Sequence, residues 1–132
     1  MAEQIFLDSS FLIAFVNDDD KHHQKAREEM KELQQPVISD QVFSETLDYL
    51  FAKEKHRKAV EFGKYMRKSQ INILNTSEPI AEDAFELFKS NKISFTDCSI
   101  LSSMKILGIE KLATFDKDFK HFQDIEMVPE NE

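Results

Sequence analysis

The stretch "QIFLDSSFLIAFVN" runs from Gln4 to Asn17. Its first part, Gln4 to Asp8, is a short apolar run closed by an acid, and reads as a buried strand. Its second part stays apolar and opens with Ser9 and Ser10, either of which suits a helix N-cap. A short helix is expected there, ending near Val16. A strand that passes straight into a helix is the first half of a βαβ unit, so the segments that follow decide the fold.

They repeat the alternation. "NDDD" (Asn17–Asp20) reads as a loop capping a second helix from Lys21 to Leu33, with Ala26, Met30 and Leu33 at helical spacing. "QQPVIS" breaks that helix at Pro36 and supplies a strand. Asp40 is the expected cap of a helix reaching Lys53, with Phe43, Leu47, Leu50 and Phe51 on one stripe. A basic helix from His56 to Lys68 turns Ala59, Phe62 and Met66 to the core. "INILN" (Ile71–Asn75) reads as a strand. Ser77 opens a helix carrying Ile80, Ala84, Leu87 and Phe88. "SFTD" (Ser94–Asp97) opens another, with Thr96 as expected cap, Ile100, Leu101, Met104 and Leu107 inside, and Gly108 as stop. "KLATFD" is a strand, "KDFKHF" a turn of helix and "IEMVP" a last strand. The order predicts an α/β fold, a three-layer α/β/α sandwich on a mostly parallel sheet, as a single domain over residues 1–132.

Bulk properties agree and exclude. The 132 residues and 41% hydrophobic content suit one folded domain. No apolar run approaches the ~20 residues of a membrane span. The opening "MAEQIFLDSS" lacks the basic flank of a signal peptide. One cysteine, Cys98, cannot form an internal disulfide and suits a reducing cytoplasm, with Cys98 itself read as core. With only two glycines, a phosphate-cradling glycine loop is excluded. The net charge of −8 argues against a non-specific nucleic-acid coat. Locally, Lys53–Lys68 carries seven basic residues against two acids. Arg57, Lys64 and Lys68 on that helix are candidates for tracking phosphates, alongside the plainer role of a solvated face.

Several acids fall at the ends of apolar segments. Asp8 closes the first strand, Asp116 closes the strand Lys111–Phe115, and Asp97 stands at a helix start. Glu45 lies in a helix beside Val42 and Tyr49, partly on an apolar face. In a parallel sheet, ligands bind at the carboxyl ends of the strands, where helix N-termini also point. Carboxylates gathered there repel one another unless a divalent cation sits between them, and an oxygen-only set suits Mg²⁺ or Mn²⁺ rather than zinc. No Cys/His set has zinc spacing, and His22, His23, His56 and His121 read as surface residues. Ser9 and Thr114 flank the acids and are candidate hydrogen-bond donors to them, with simple capping and strand packing as equal alternatives. Asp118, two residues after Asp116, reads chiefly as a helix cap.

The succession "IFLDSSFLIAF", "SETLDYL", "SFTDCSILSSMKILG" and "LATFDKDF" resembles the PIN domain pattern, and is most similar to the VapC-like toxins of toxin–antitoxin pairs. "HQKA" (His23–Ala26) also resembles a recurring feature of that family's second helix. The resemblance covers nearly the whole chain. It implies that Asp8, Glu45, Asp97 and Asp116 are metal-binding carboxylates, with Asp118 able to share or replace the part of Asp116. It further implies cleavage of single-stranded RNA with Mg²⁺ or Mn²⁺, a homodimer, and a small antitoxin partner that occludes the site. An RNA-processing nuclease, or a catalytically silent relative that binds RNA or a protein, is the alternative. Two other phosphate-handling α/β classes fit less well. A haloacid-dehalogenase type needs an aspartate where Ser10 stands, and a receiver domain needs a mid-chain acid where the basic helix lies.

Overall fold

The computed structural model describes residues 3–130, so the expected span of 1–132 extends past it at both ends. The chain runs β1 (Gln4–Leu7), α1 (Ser9–Val16), α2 (His23–Glu32), β2 (Gln35–Ser39), α3 (Asp40–Lys53), α4 (His56–Lys68), β3 (Asn72–Leu74), α5 (Glu78–Ser90), α6 (Phe95–Leu107), β4 (Lys111–Ala113) and β5 (Glu126–Val128). A 3₁₀ turn covers Lys117–His121 between the last two strands. Every strand and helix expected from the sequence is present.

The sheet has five strands in the order β3-β2-β1-β4-β5, and every pairing is parallel. β1 is central: Phe6 lies opposite Val37 of β2 and Leu112 of β4. Ile5, Phe6 and Leu7 are all buried, as a strand covered on both faces requires. Pro36 lies opposite Ile5, while β3 joins β2 only from Val37 onward. Its missing N–H therefore costs no bond on the β3 side.

Strand order dictates the layers. From β1 the chain steps outward through β2 to β3, then crosses back to β4 on the other side of β1. Right-handed crossovers place the helices of the two excursions on opposite faces. The contacts agree, since α1 packs on α2 and α3, α3 on α4, and α5 on α6. The crevice between the carboxyl ends of β1 and β4, where the winding reverses, is the switch point at which such folds bind ligands.

The core is aromatic and aliphatic. Phe6, Phe11 and Phe119 are among its fully buried side chains, each contributing roughly 1.5–3 kcal/mol by burial. Cys98 is buried, as expected. Ser99, Ser102 and Ser103 let α6 bury almost its whole circumference. The hydroxyls of Ser99 and Ser102 donate to the Thr96 carbonyl and to Asp83. Gly108 ends α6 in the left-handed region at φ 71°, and the Ile109 N–H returns to the Met104 carbonyl at 2.8 Å.

The caps differ from expectation. α1 is capped by Asp8 rather than Ser9 or Ser10, α3 by Ser39 rather than Asp40, and α6 by Ser94 rather than Thr96. In each case the capping residue is the last with extended backbone, and the Ser, Thr or Asp behind it has already entered the helix. Asp20 holds the His22 N–H at 2.8 Å, but α2 has no side-chain cap. Three expected core residues face outward: Phe51 is 62%, Phe88 43% and Leu107 44% exposed. His22 and His23 are half-buried rather than on the surface, and the His23 Nδ1–H donates to the Ala14 carbonyl at 2.8 Å.

Candidate active site

Asp8 follows β1 directly and Asp116 follows β4 by three residues, so both stand at the switch point. The backbone first ties the strands together there, with the Asp8 N–H donating to the Ala113 carbonyl at 3.2 Å. Asp8 is 3% exposed, and both its oxygens are held. Oδ1 accepts from the Phe11 N–H at 2.9 Å and from the Ser10 hydroxyl at 2.7 Å. Oδ2 accepts from the Thr114 hydroxyl. Each hydroxyl has one proton, so a second role must be as acceptor. Thr114 Oγ1 accepts from the Asp116 N–H at 2.9 Å, and Ser10 Oγ from the Phe115 N–H at 3.0 Å. The expected role of Thr114 as a hydrogen-bond donor to the acids is thus present.

Ser9 also donates, but to Glu45 rather than Asp8: its hydroxyl meets Oε1 at 2.5 Å. This bond brings the middle of α3 to the start of α1. Asp97 lies in the first turn of α6, where its N–H donates to the Ser94 hydroxyl at 3.1 Å. The helix start therefore carries Asp97 toward the strand ends, as expected, although from a cap two residues earlier.

Electrostatics show that the four acids share one neighbourhood. The Asp97 carboxyl is pushed up to about 7, first by burial and then by Asp116, Asp8 and Glu45. Asp8 is raised to about 6, mainly by burial. The bonds from Thr114, Phe11 and Ser10 oppose that rise, and Asp116 adds to it. Repulsion of this kind is what a bound cation relieves. Among the described residues, no three Asp, Glu, His or Cys side chains close into a metal cage as they stand. Donor type and charge nevertheless fit a hard divalent cation.

Asp116, not Asp118, belongs to this neighbourhood. The expected capping role also moves: Asp116 caps the 3₁₀ turn, accepting from the Asp118 N–H at 2.9 Å, while Asp118 is exposed. The turn starts at Lys117, where the sequence places it, so the acid just before it takes the cap. Ser10 is a site residue that its sequence position marks only as a possible helix cap. The second serine of "DSS" was the available signal.

The basic helix is placed apart. Lys64 and Lys68 line an apolar groove of about 720 Å³ between α3 and α4, together with Phe43, Leu47 and Phe51. Arg57 pairs with Glu61 at 3.1 Å in the open. Next to Thr114 lies a different cleft, of about 570 Å³, lined by Lys21, His22, Lys25, Thr114, Phe115, Lys117, Pro129 and Glu130.

A parallel sheet whose switch point gathers carboxylates from β1, α3, α6 and the end of β4 defines a class, and comparison agrees. The PIN domain family model matches residues 5–125, and the chain belongs to that family. It is similar to the ribonuclease VapC6 of Methanocaldococcus jannaschii, at 25% identity over 150 aligned positions, covering 96% of this chain and 97% of the relative. In structure it is similar to VapC20 of Mycobacterium tuberculosis, a sarcin–ricin loop cleaving toxin, with a TM-score of 0.85 and 25% identity over 90% of this chain and 95% of that one. A toxin–antitoxin complex from Klebsiella pneumoniae shares the fold, with a TM-score of 0.71 and 22% identity over 92% and 95% of the two chains.

Proposed function

We propose that this chain is an endoribonuclease that cuts single-stranded RNA with Mg²⁺ or Mn²⁺, and that it is the toxin of a toxin–antitoxin pair. The observation that carries this reading is the convergence of Asp8, Glu45, Asp97 and Asp116 at the switch point, where the Thr114 and Ser9 hydroxyls hold Asp8 and Glu45 and the other three acids act on Asp97. A fold that crowds these charges at its ligand-binding edge has a use for a cation there.

In this reading Asp8, Asp97 and Asp116 hold the ion and Glu45 completes the set or orients the attacking water. A divalent cation there supplies charge neutralisation for the phosphate and a more acidic water. The chain's own contribution is placement. Thr114 and Ser10 fix the rotamer of Asp8, Ser9 fixes Glu45, and Ser94 fixes the start of α6. With Glu45 on hand, no histidine is needed to manage the proton of the water. The VapC6 and VapC20 relatives support RNA as the substrate, and the toxin–antitoxin complex supports a small antitoxin as partner. The family resemblance supports a homodimer in this reading, and the single cysteine suits a reducing cytoplasm. Among the described residues, no helix is long and apolar enough to cross a membrane.

The test is cleavage of single-stranded RNA by intact protein and by Asp97→Asn, each in Mn²⁺, in Mg²⁺ and in EDTA. Cleavage by intact protein in either metal, absent in EDTA and lost in the variant, is expected. Equal cleavage by both proteins in EDTA overturns the reading.

A further inference from the structure

The cleft next to Thr114 has features that the proposed reaction leaves unused. It is lined by Lys21 and Lys25, at the start of α2, and by Lys117, which follows Asp116. All three are exposed, and among the described residues none is in an ion pair. They share this with most lysines of the chain, Lys64 and Lys68 of α4 included; Lys58, Lys89, Lys105 and Lys111 are the ones paired with an acid among the described residues. Among the described residues, the one acid lining the cleft is Glu130. In a chain of net charge −8, unpaired cations brought together from two distant segments form a local anion-attracting surface. α2 starts beside it with no acid in its first turn, and Asp20 accepts the His22 N–H just ahead of it at 2.8 Å.

The cleft also has a stacking wall. Phe115 lies between Phe11, with ring centres 5.8 Å apart and planes 9° apart, and His22, at 4.3 Å and 2°. Both faces of Phe115 are thus occupied, and the half-buried His22 ends the stack on the cleft side. Thr114 lines the cleft while its hydroxyl donates to Asp8. Thr114 thus links the cleft wall to Asp8 through one hydrogen bond, and Lys117 links it to Asp116 through the chain.

We infer that this cleft is the substrate subsite beside the scissile bond, where Lys21, Lys25 and Lys117 take successive phosphates of single-stranded RNA and His22 stacks on one base. Flexible ammonium groups with no partner suit phosphates whose positions vary with sequence. A flat ring suits any base, since every base has a π-face. The inference rests on the ribonuclease reading and adds the path of the strand. It sends the RNA across α2 and the turn after β4, rather than along Arg57, Lys64 and Lys68 of α4.

The test uses a labelled, mixed-sequence single-stranded oligoribonucleotide and the full chain carrying Asp97→Asn, which prevents turnover. Affinity is measured across a salt series for this protein and for three derivatives. These are Lys21→Gln/Lys25→Gln/Lys117→Gln, the same positions changed to Arg, and Arg57→Gln/Lys64→Gln/Lys68→Gln. The glutamine cleft variant should bind at least about tenfold more weakly, with a salt slope flatter by up to about 2, at about 0.7 per lost contact. The arginine variant should restore both, which a structural role for the lysines would not predict. His22→Ala should weaken binding at fixed salt and leave the slope alone. The lysine variants should melt with the parent, because the lysines are exposed. Unchanged affinity and slope in the cleft variant overturn the subsite, as does a loss confined to the α4 variant. If the wild-type chain still cuts RNA in Mn²⁺ in either case, the ribonuclease reading stands without it. If the wild-type chain neither cuts nor binds RNA, both fall together.

Discussion

The Thr114 hydroxyl donates to Asp8 across 106 residues of sequence and accepts the N–H of Asp116 at 2.9 Å. One side chain thus sets the position of two acids on different strand ends. Thr114→Val keeps the shape and removes the proton. A buried carboxylate that loses a donor bears the cost directly, so stability at pH 7 should fall by about 1–3 kcal/mol. Urea unfolding checks this; a loss under about 0.5 kcal/mol means that Asp8 finds another donor.

Burial and mutual repulsion raise Asp97 to about 7 and Asp8 to about 6, both above the ordinary 3.8. The folded state therefore binds more protons than the unfolded one between about pH 4 and 7. This contribution to stability is fully present below the unfolded value and is lost as pH rises through the folded values. In EDTA the melting midpoint should fall from pH 5 to 7.5, and Asp97→Asn should flatten the fall. A profile identical in wild type and variant would mean that Asp97 does not titrate in this range.

The same protons compete with a cation for the carboxylates. Mn²⁺ at millimolar concentration should raise the midpoint, and raise it more at pH 7.5 than at pH 5. Calorimetry with and without Mn²⁺ reads this, and an unchanged midpoint at both pH values speaks against a metal site.

Asp116 and Asp118 should separate by substitution. Asp116→Asn keeps a cap for the Asp118 N–H, since asparagine caps as well as aspartate. It removes a charge beside Asp97, so cleavage should fall by at least about 10²-fold while the fold persists. Asp118→Asn, on an exposed side chain, should change little. Rates of RNA cleavage decide it, and the reverse pattern would move the site to Asp118.

The cap of α6 offers a further pair. Ser94→Ala removes the acceptor of the Asp97 N–H and should cost about 1 kcal/mol. Thr96→Ala removes no cap and should cost clearly less. Denaturation midpoints for the two variants check the order.

Much of this architecture was legible before any coordinates, for a physical reason. Runs such as "QIFL" and "KLA" are buried on both faces and carry their own composition, and helices such as His56–Lys68 carry their own stripe. Caps were harder, because neighbouring Ser, Thr and Asp residues are chemically able to cap and only the backbone angle chooses among them. Glu45 looks like any helical glutamate; its partner Ser9 lies 36 residues away, and only the family resemblance picked it out. The cleft lysines left no local signal, since Lys21 and Lys25 meet Lys117 only after β4 has taken its place beside β1.

That last pairing has a temporal side. β1 is made first, yet its β4 neighbour comes more than a hundred residues later. While the chain is being synthesised, the oldest strand waits with one edge open, and Asp8 waits without Thr114 or Asp116. Synthesis proceeds at about 5–20 residues per second, so the interval lasts seconds rather than microseconds. The acids cannot assemble on the nascent polypeptide until β4 and Asp116 have emerged, and a chain truncated before Lys111 has no means of assembling them.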